Sequence, residues 1–109
     1  MVPDGFIAKR TLDIAGDPNR KVTVLIGQPK PDGDDYRCEF QIIGLSDGKT
    51  RSSHGMGLDS MQALILTLQL IGTGLYTSDL AKAGRLNWEG SRNLGFPVPD
   101  VIADLVPKA

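Results

Sequence analysis

The chain has 109 residues, 40% of them hydrophobic and 23% charged, which is enough for one domain with one core and too little for two. Lys and Arg number 12 against 13 Asp and Glu, a net charge of −1, which speaks against the strongly basic character from which nucleic-acid binders draw much of their affinity, and no nucleic-acid partner is expected. Cys38 is the only cysteine, which excludes an intrachain disulfide and a multi-cysteine zinc site.

The basic residues fall in separate pairs: Lys9 and Arg10, Arg20 and Lys21, Lys49 and Arg51. Asp13, Asp17 and Asp47 lie among them, and all of these read as solvated faces. A lone thiol suits a reducing compartment. The opening "MVPDGFIAKRTLDIAG" lacks the charged-then-apolar pattern of a signal peptide. The most apolar stretch, residues 58–76, contains Gln62, Thr67, Gln69 and Thr73 and is too polar to span a bilayer. A soluble, cytoplasmic protein with no membrane partner is expected.

In chain order, residues 6–14 alternate, with Phe6, Ala8, Leu12 and Ile14 on one side and Lys9, Thr11 and Asp13 on the other. Period two is the mark of a half-buried strand. "GDPN" at 16–19 is turn chemistry, and residues 21–27 form a second strand with Val22, Val24 and Ile26 on one face. "QPKPDGDD" at 28–35 is a polar loop before which the sheet should end, since Pro29 and Pro31 cannot donate ladder bonds. Its carboxylates Asp32, Asp34 and Asp35 lack the ligand spacing of a calcium loop, and no metal is expected there. A third strand covers about 36–45, with Tyr36, Cys38, Phe40 and Ile42 facing inward; Cys38 is thereby expected to be a buried structural thiol. The Asp-Gly of "SDGK" at 46–49 is a strong hairpin signal, and a fourth strand spans roughly 49–54.

That strand enters "RSSHGMGLDS" at 51–60, which holds the chain's only histidine. Ser52, His54, Gly55 and Gly57 are the candidate ligand-binding residues: His54 beside Ser52, Ser53 or Ser60 could pair a base with a nucleophile, and glycines ahead of a helix can cradle an anion. The simpler account is a turn. Asp59 or Ser60 caps the helix, Gln62 completes a capping box, and Gly55 and Gly57 supply the reversal. No phosphate-loop signature and no G-x-S-x-G occurs, so no catalytic residue is assigned and no cofactor is expected.

Residues 59–83 read as one long helix. Met61, Leu64, Ile65, Leu68, Ile71 and Leu75 make a core-facing stripe, Gly72 and Gly74 invite a kink or a close neighbour, and Gly84 stands just past the end. A second apolar seam lies behind the first: Ala63, Leu66 and Leu70, with Gly74 and Thr77 close by. A helix apolar on two sides needs two covers, either the chain's own tail (Phe96, Val98, Val101, Ile102, Leu105) or a second subunit. Residues 85–109 are an irregular tail, with "RLNWEG" at 85–90 offering a short fifth strand and Pro99 opening a short terminal helix. Trp88 reads equally as a core plug or a surface anchor.

The expected architecture is α+β: a four-stranded antiparallel meander with one long helix packed on one face, a two-layer sandwich within one domain, 1–109. The runs "VLIGQPKPDGDDYRCEFQIIGL" and "GLDSMQALILTLQLIG" resemble small bacterial proteins of an uncharacterised family, a domain of unknown function marked by a PxPDGDD-type loop and a D-x-x-Q-A-L helix start. The resemblance covers about 9–76 and implies an α+β domain of this size. It carries no catalytic set.

The function expected is a non-catalytic protein-interaction domain acting as a homodimer through Ala63, Leu66 and Leu70, with room for an unidentified protein partner. The runner-up is an immunity- or antitoxin-like binder; the other class is a small-ligand binder or hydrolase near His54 and the helix N-terminus.

Overall fold

A computed structural model describes residues 2–46 and 48–108. The fold is α+β, an antiparallel sheet with one main helix. Its strands are β1 (Phe6–Ile14), β2 (Lys21–Gly27), β3 (Lys30–Asp32), β4 (Asp35–Ser46), β5 (Lys49–Gly57) and β6 (Leu86–Asn87). The helices are α1 (Ser60–Tyr76) and the one-turn α2 (Asp79–Lys82), and a 3₁₀ segment, Asp100–Leu105, follows Pro99.

The four long strands are the expected meander, in spatial order β5-β4-β2-β1. Two short strands extend it. β6 pairs with the end of β1, Ile14 opposite Leu86, which realises the fifth strand anticipated within 85–90. β3 pairs with the start of β4, Pro31 opposite Tyr36. The sheet therefore does not stop before the prolines. β3 lies at the edge of β4, where a residue without an N–H is tolerated. Ser46 and Lys49 pair across the β4–β5 turn; Asp47, half of the hairpin signal, lies outside the described residues.

The inward face is built from Leu12, Ile14, Val22, Val24, Cys38, Phe40 and Ile42, all buried, as alternation demands. The opposite face is less polar than expected. Leu25 lies on it, in register with Lys9 and Gln41, and is nonetheless buried, since two long side chains flank it.

α1 begins where predicted. The Asp59 carboxylate accepts from the Gln62 N–H at 2.7 Å, and the Gln62 side chain accepts from the Leu58 N–H at 2.6 Å, a close variant of the capping box. The helix ends earlier than the expected residue 83. The Thr77 and Ser78 hydroxyls donate back to the carbonyls of Thr73 and Leu75, and Ser78, in extended backbone, caps α2 by accepting from the Ala81 N–H. Serine and threonine compete in this way with continued helix. Gly84, in the left-handed region, then closes α2.

The roll of α1 also differs from the periodicity reading. Ala63, Thr67, Ile71 and Leu75 face the sheet and are fully buried. Leu64 and Leu68 pack at the margin. Met61 and Ile65, assigned to the core stripe, are 71% and 49% exposed. Steric room decides this. In β5, a methyl group on Gly57 would overlap the backbone of Ala63, and one on Gly55 would overlap Thr67. The helix approaches so closely that only small residues fit between it and the strand. The Thr67 hydroxyl donates to the Cys38 carbonyl at 3.1 Å, so the one buried polar side chain on this face is satisfied.

The tail is a strap over the helix. Gly72 lies under it, where a methyl would overlap the Pro97 carbonyl oxygen, and the Tyr76 hydroxyl accepts from the Leu94 N–H at 2.8 Å. Arg10, expected in solvent, shares the inward parity of Leu12 and Ile14. Its guanidinium stacks 3.8 Å from the Trp88 ring centre and 4.9 Å from that of Phe96. It also donates to the carbonyls of Leu94 and Gly95, so charge and ring face together hold the strap.

Two stability measurements follow from this geometry. Asp59→Ala should cost about 0.5–2 kcal/mol in urea unfolding and Asp59→Asn much less; equal costs would place the cap elsewhere. Gly57→Ala should cost about 1–3 kcal/mol or more, because a backbone rather than a side chain must move; a neutral substitution would mean that α1 does not sit on β5.

Candidate functional site

The stretch 51–60 is neither a loop nor mainly a turn. β5 runs through Gly57 rather than ending near residue 54, and only Leu58 and Asp59 separate strand from helix. Gly55 and Gly57 therefore do not make the reversal, and they do not cradle an anion. Both are buried, and the space over them is filled by Thr67 and Ala63. At the helix start, Asp59 takes the Gln62 N–H and places a negative charge where an anion would sit.

Register divides the candidate residues between two faces. Ser53 and Gly55 pair with Phe40 and Cys38 and face α1. Ser52 and His54 pair with Gln41 and Glu39 and lie on the opposite face. Ser60 is the first residue of α1. The side chains of His54 and Ser53 thus point to opposite faces, although both residues, with Ser52, border a shallow depression of about 160 Å³ shared with Phe6 and Glu39. This is a polar sheet surface, not a pocket that excludes water around a base and a nucleophile.

The other chemistry-bearing residues are structural. Cys38 is buried, and its thiol donates to the Gly27 carbonyl at 3.4 Å. Burial pushes its pKa up; the Thr67 hydroxyl opposes this and the Glu39 carboxylate adds to it. A thiol held protonated and enclosed is a poor nucleophile. Asp32 and Asp35 face each other across the β3–β4 turn. Among the described residues, no three of His, Cys, Asp and Glu converge as a metal site would require. Trp88 is the stacking partner of Arg10.

What the arrangement leaves open is a flank of α1. Ala63 is withdrawn from the proposed outer seam: it is fully buried against Gly57, because the helix is rolled to put its smallest residues on the strand. Leu66 and Leu70 remain out, 38% and 41% exposed. They line a groove of about 300 Å³ with His54, Gly55, Met56, Gln69, Thr73 and Pro99, alongside β5, so His54 borders this groove as well. The strap contacts the helix at Gly72, on another side, and reaches this groove at Pro99. Of the two covers considered, the tail takes one flank and covers Leu66 and Leu70 only in part. The signal for this roll was present as small residues at matching periods, Gly55 and Gly57 two apart on a strand and Ala63 and Thr67 four apart on a helix.

Residues 8–98 match a family described as a domain of unknown function, DUF6968. No curated protein and no solved structure matches the chain.

If His54 is a surface residue of the sheet, His54→Ala should change stability by less than about 1 kcal/mol. A larger loss on urea unfolding would show that the imidazole supports the fold.

Proposed function

The chain belongs to the DUF6968 family, and on that footing we propose that it is a non-catalytic protein-interaction domain that works as a homodimer built on α1. One observation carries the reading. Leu66 and Leu70, one helical turn apart, stay exposed beside the sheet even though the tail already straps the helix. Each leucine contributes about 1.5–3 kcal/mol when fully buried. Adjacent and part exposed on a chain of net charge −1, they favour association. A two-fold dimer is the commonest way to cover such a patch with its own copy.

The same reading places the protein in the cytoplasm of a bacterium, where its buried thiol suits a reducing milieu. Among the described residues, no helix is long and apolar enough to cross a membrane.

Sedimentation of the wild type and of Leu66→Glu/Leu70→Glu tests the proposal. The wild type should sediment as a dimer, and the double variant as a folded monomer with unchanged far-UV circular dichroism. A monomeric wild type at high micromolar concentration would contradict it.

A further inference from the structure

Beside Leu66 and Leu70 runs a second unsatisfied feature, the free edge of β5. Among the described residues, β5 pairs with β4 alone. A strand edge is a row of donors and acceptors that invites another strand, and proteins usually blunt it with charge, proline or a bulge. The opposite end of the sheet is partly closed by β6, and β3 carries Pro31. β5 has Lys49 and Arg51 near its start, then Ser52, Ser53, His54, Gly55, Met56 and Gly57 with neither proline nor acidic or basic charge beyond the one imidazole. Its register with β4 is regular from residue 50 to residue 57.

We infer that this edge pairs antiparallel with β5 of a second copy about a two-fold axis at Ser53, so that two sheets become one and Leu66 and Leu70 of both copies pack over the junction. The inference rests on the homodimer proposed above and names how it is built. Charge and overlap together select the register. Centred on Ser53, Lys49 meets Gly57, Arg51 meets Gly55, and Ser52 meets His54, so all nine residues pair and no cations oppose. A centre at Arg51 would set Arg51 against itself, and one at Thr50 would set it against Lys49.

The helix supports the same axis. A two-fold perpendicular to the sheet leaves both helices on one side. α1 runs antiparallel to β5, with Ala63 over Gly57, Thr67 over Gly55, and Gly74 beside the Arg51 guanidinium. The level of Ser53 therefore falls at Leu70. Leu70 then meets its own copy, and Leu66 meets the Gly74 end of the partner helix, where small residues leave room. α1 packs on β4 as well as β5, through Thr67 and the Cys38 carbonyl. With strands about 4.8 Å apart and each helix seated over the gap between β4 and β5, the two helices come about 10 Å apart, an ordinary helix-packing distance.

The test is disulfide cross-linking. Cys38 is buried, so a cysteine introduced on β5 is the reactive one. Ser53→Cys, close to isosteric, and Lys49→Cys are each oxidised in air, and their sedimentation is compared with wild type under reducing conditions. Ser53→Cys should form the linked dimer about tenfold faster than Lys49→Cys, because only opposed residues meet disulfide geometry. A reduced protein that is dimeric but links at both positions equally, or at neither, overturns the edge pairing and leaves the α1 dimer standing. A reduced protein that is monomeric overturns both.

Discussion

The seat of α1 on Gly55 and Gly57 is the contact that the remaining arrangement follows. Protein interiors are packed closely enough that a single methylene is felt, and here the gap between helix and strand is narrower than a side chain. The helix must turn its smallest residues, Ala63 and Thr67, toward β5. Once that roll is set, the position of every other side chain on α1 is set at 100° intervals. Ile71 and Leu75 go into the core, Met61 and Ile65 go outward, and Leu66 and Leu70 fall along the strand's free edge. The Thr67 hydroxyl adds a directional element, since its bond to the Cys38 carbonyl would be lost with any large rotation and leave a buried polar group unpaired.

The strap depends on the same helix from the other side. Gly72 lets the chain at Pro97 lie against α1, and the Tyr76 hydroxyl and the Arg10 guanidinium fix it from two directions. Arg10 links the first strand to a segment more than eighty residues away in sequence, placing a cation between two aromatic rings where its planar group stacks well. Burial of Leu86, Leu94 and Phe96 anchors the first part of the tail in the core, while Asp100–Leu105 buries no residue. The tail is thereby held mainly to one side of α1 and meets the leucines beside β5 only at Pro99, which leaves them part exposed.

Much of the fold was legible in the amino-acid order. Alternation located the four long strands and their inward faces, and Asp59 with Gln62 fixed the start of the helix. The core stripe of α1 was misread for a physical reason. Hydrophobic periodicity weighs side chains by size. Of the row from Met61 to Leu75, Ile71 and Leu75 do enter the core, but Met61 and Ile65 stay out. The first half of the helix meets the sheet through Ala63 and Thr67, because the strand has no side chain at Gly55 and Gly57. The same blindness turned Gly55 and Gly57 into turn residues, since their role in close approach shows only when the helix is in place. Arg10 reads as solvated when charge outweighs parity, although its position between Ala8 and Leu12 points inward. Of the candidate site, Ser52 and His54 were seen to be adjacent in sequence to Ser53, but strand register sends them to the opposite face.

The roll of α1 is the claim that supports both the core and the exposed leucine pair. Nuclear Overhauser contacts from the α-protons of Gly55 and Gly57 in the isotope-labelled protein read it directly. The account predicts strong contacts from Gly57 to Ala63 and from Gly55 to Thr67, and none to Met61 or Ile65. Contacts from either glycine to the Met61 or Ile65 side chain would contradict it, and would return Leu66 and Leu70 to a different face of the molecule.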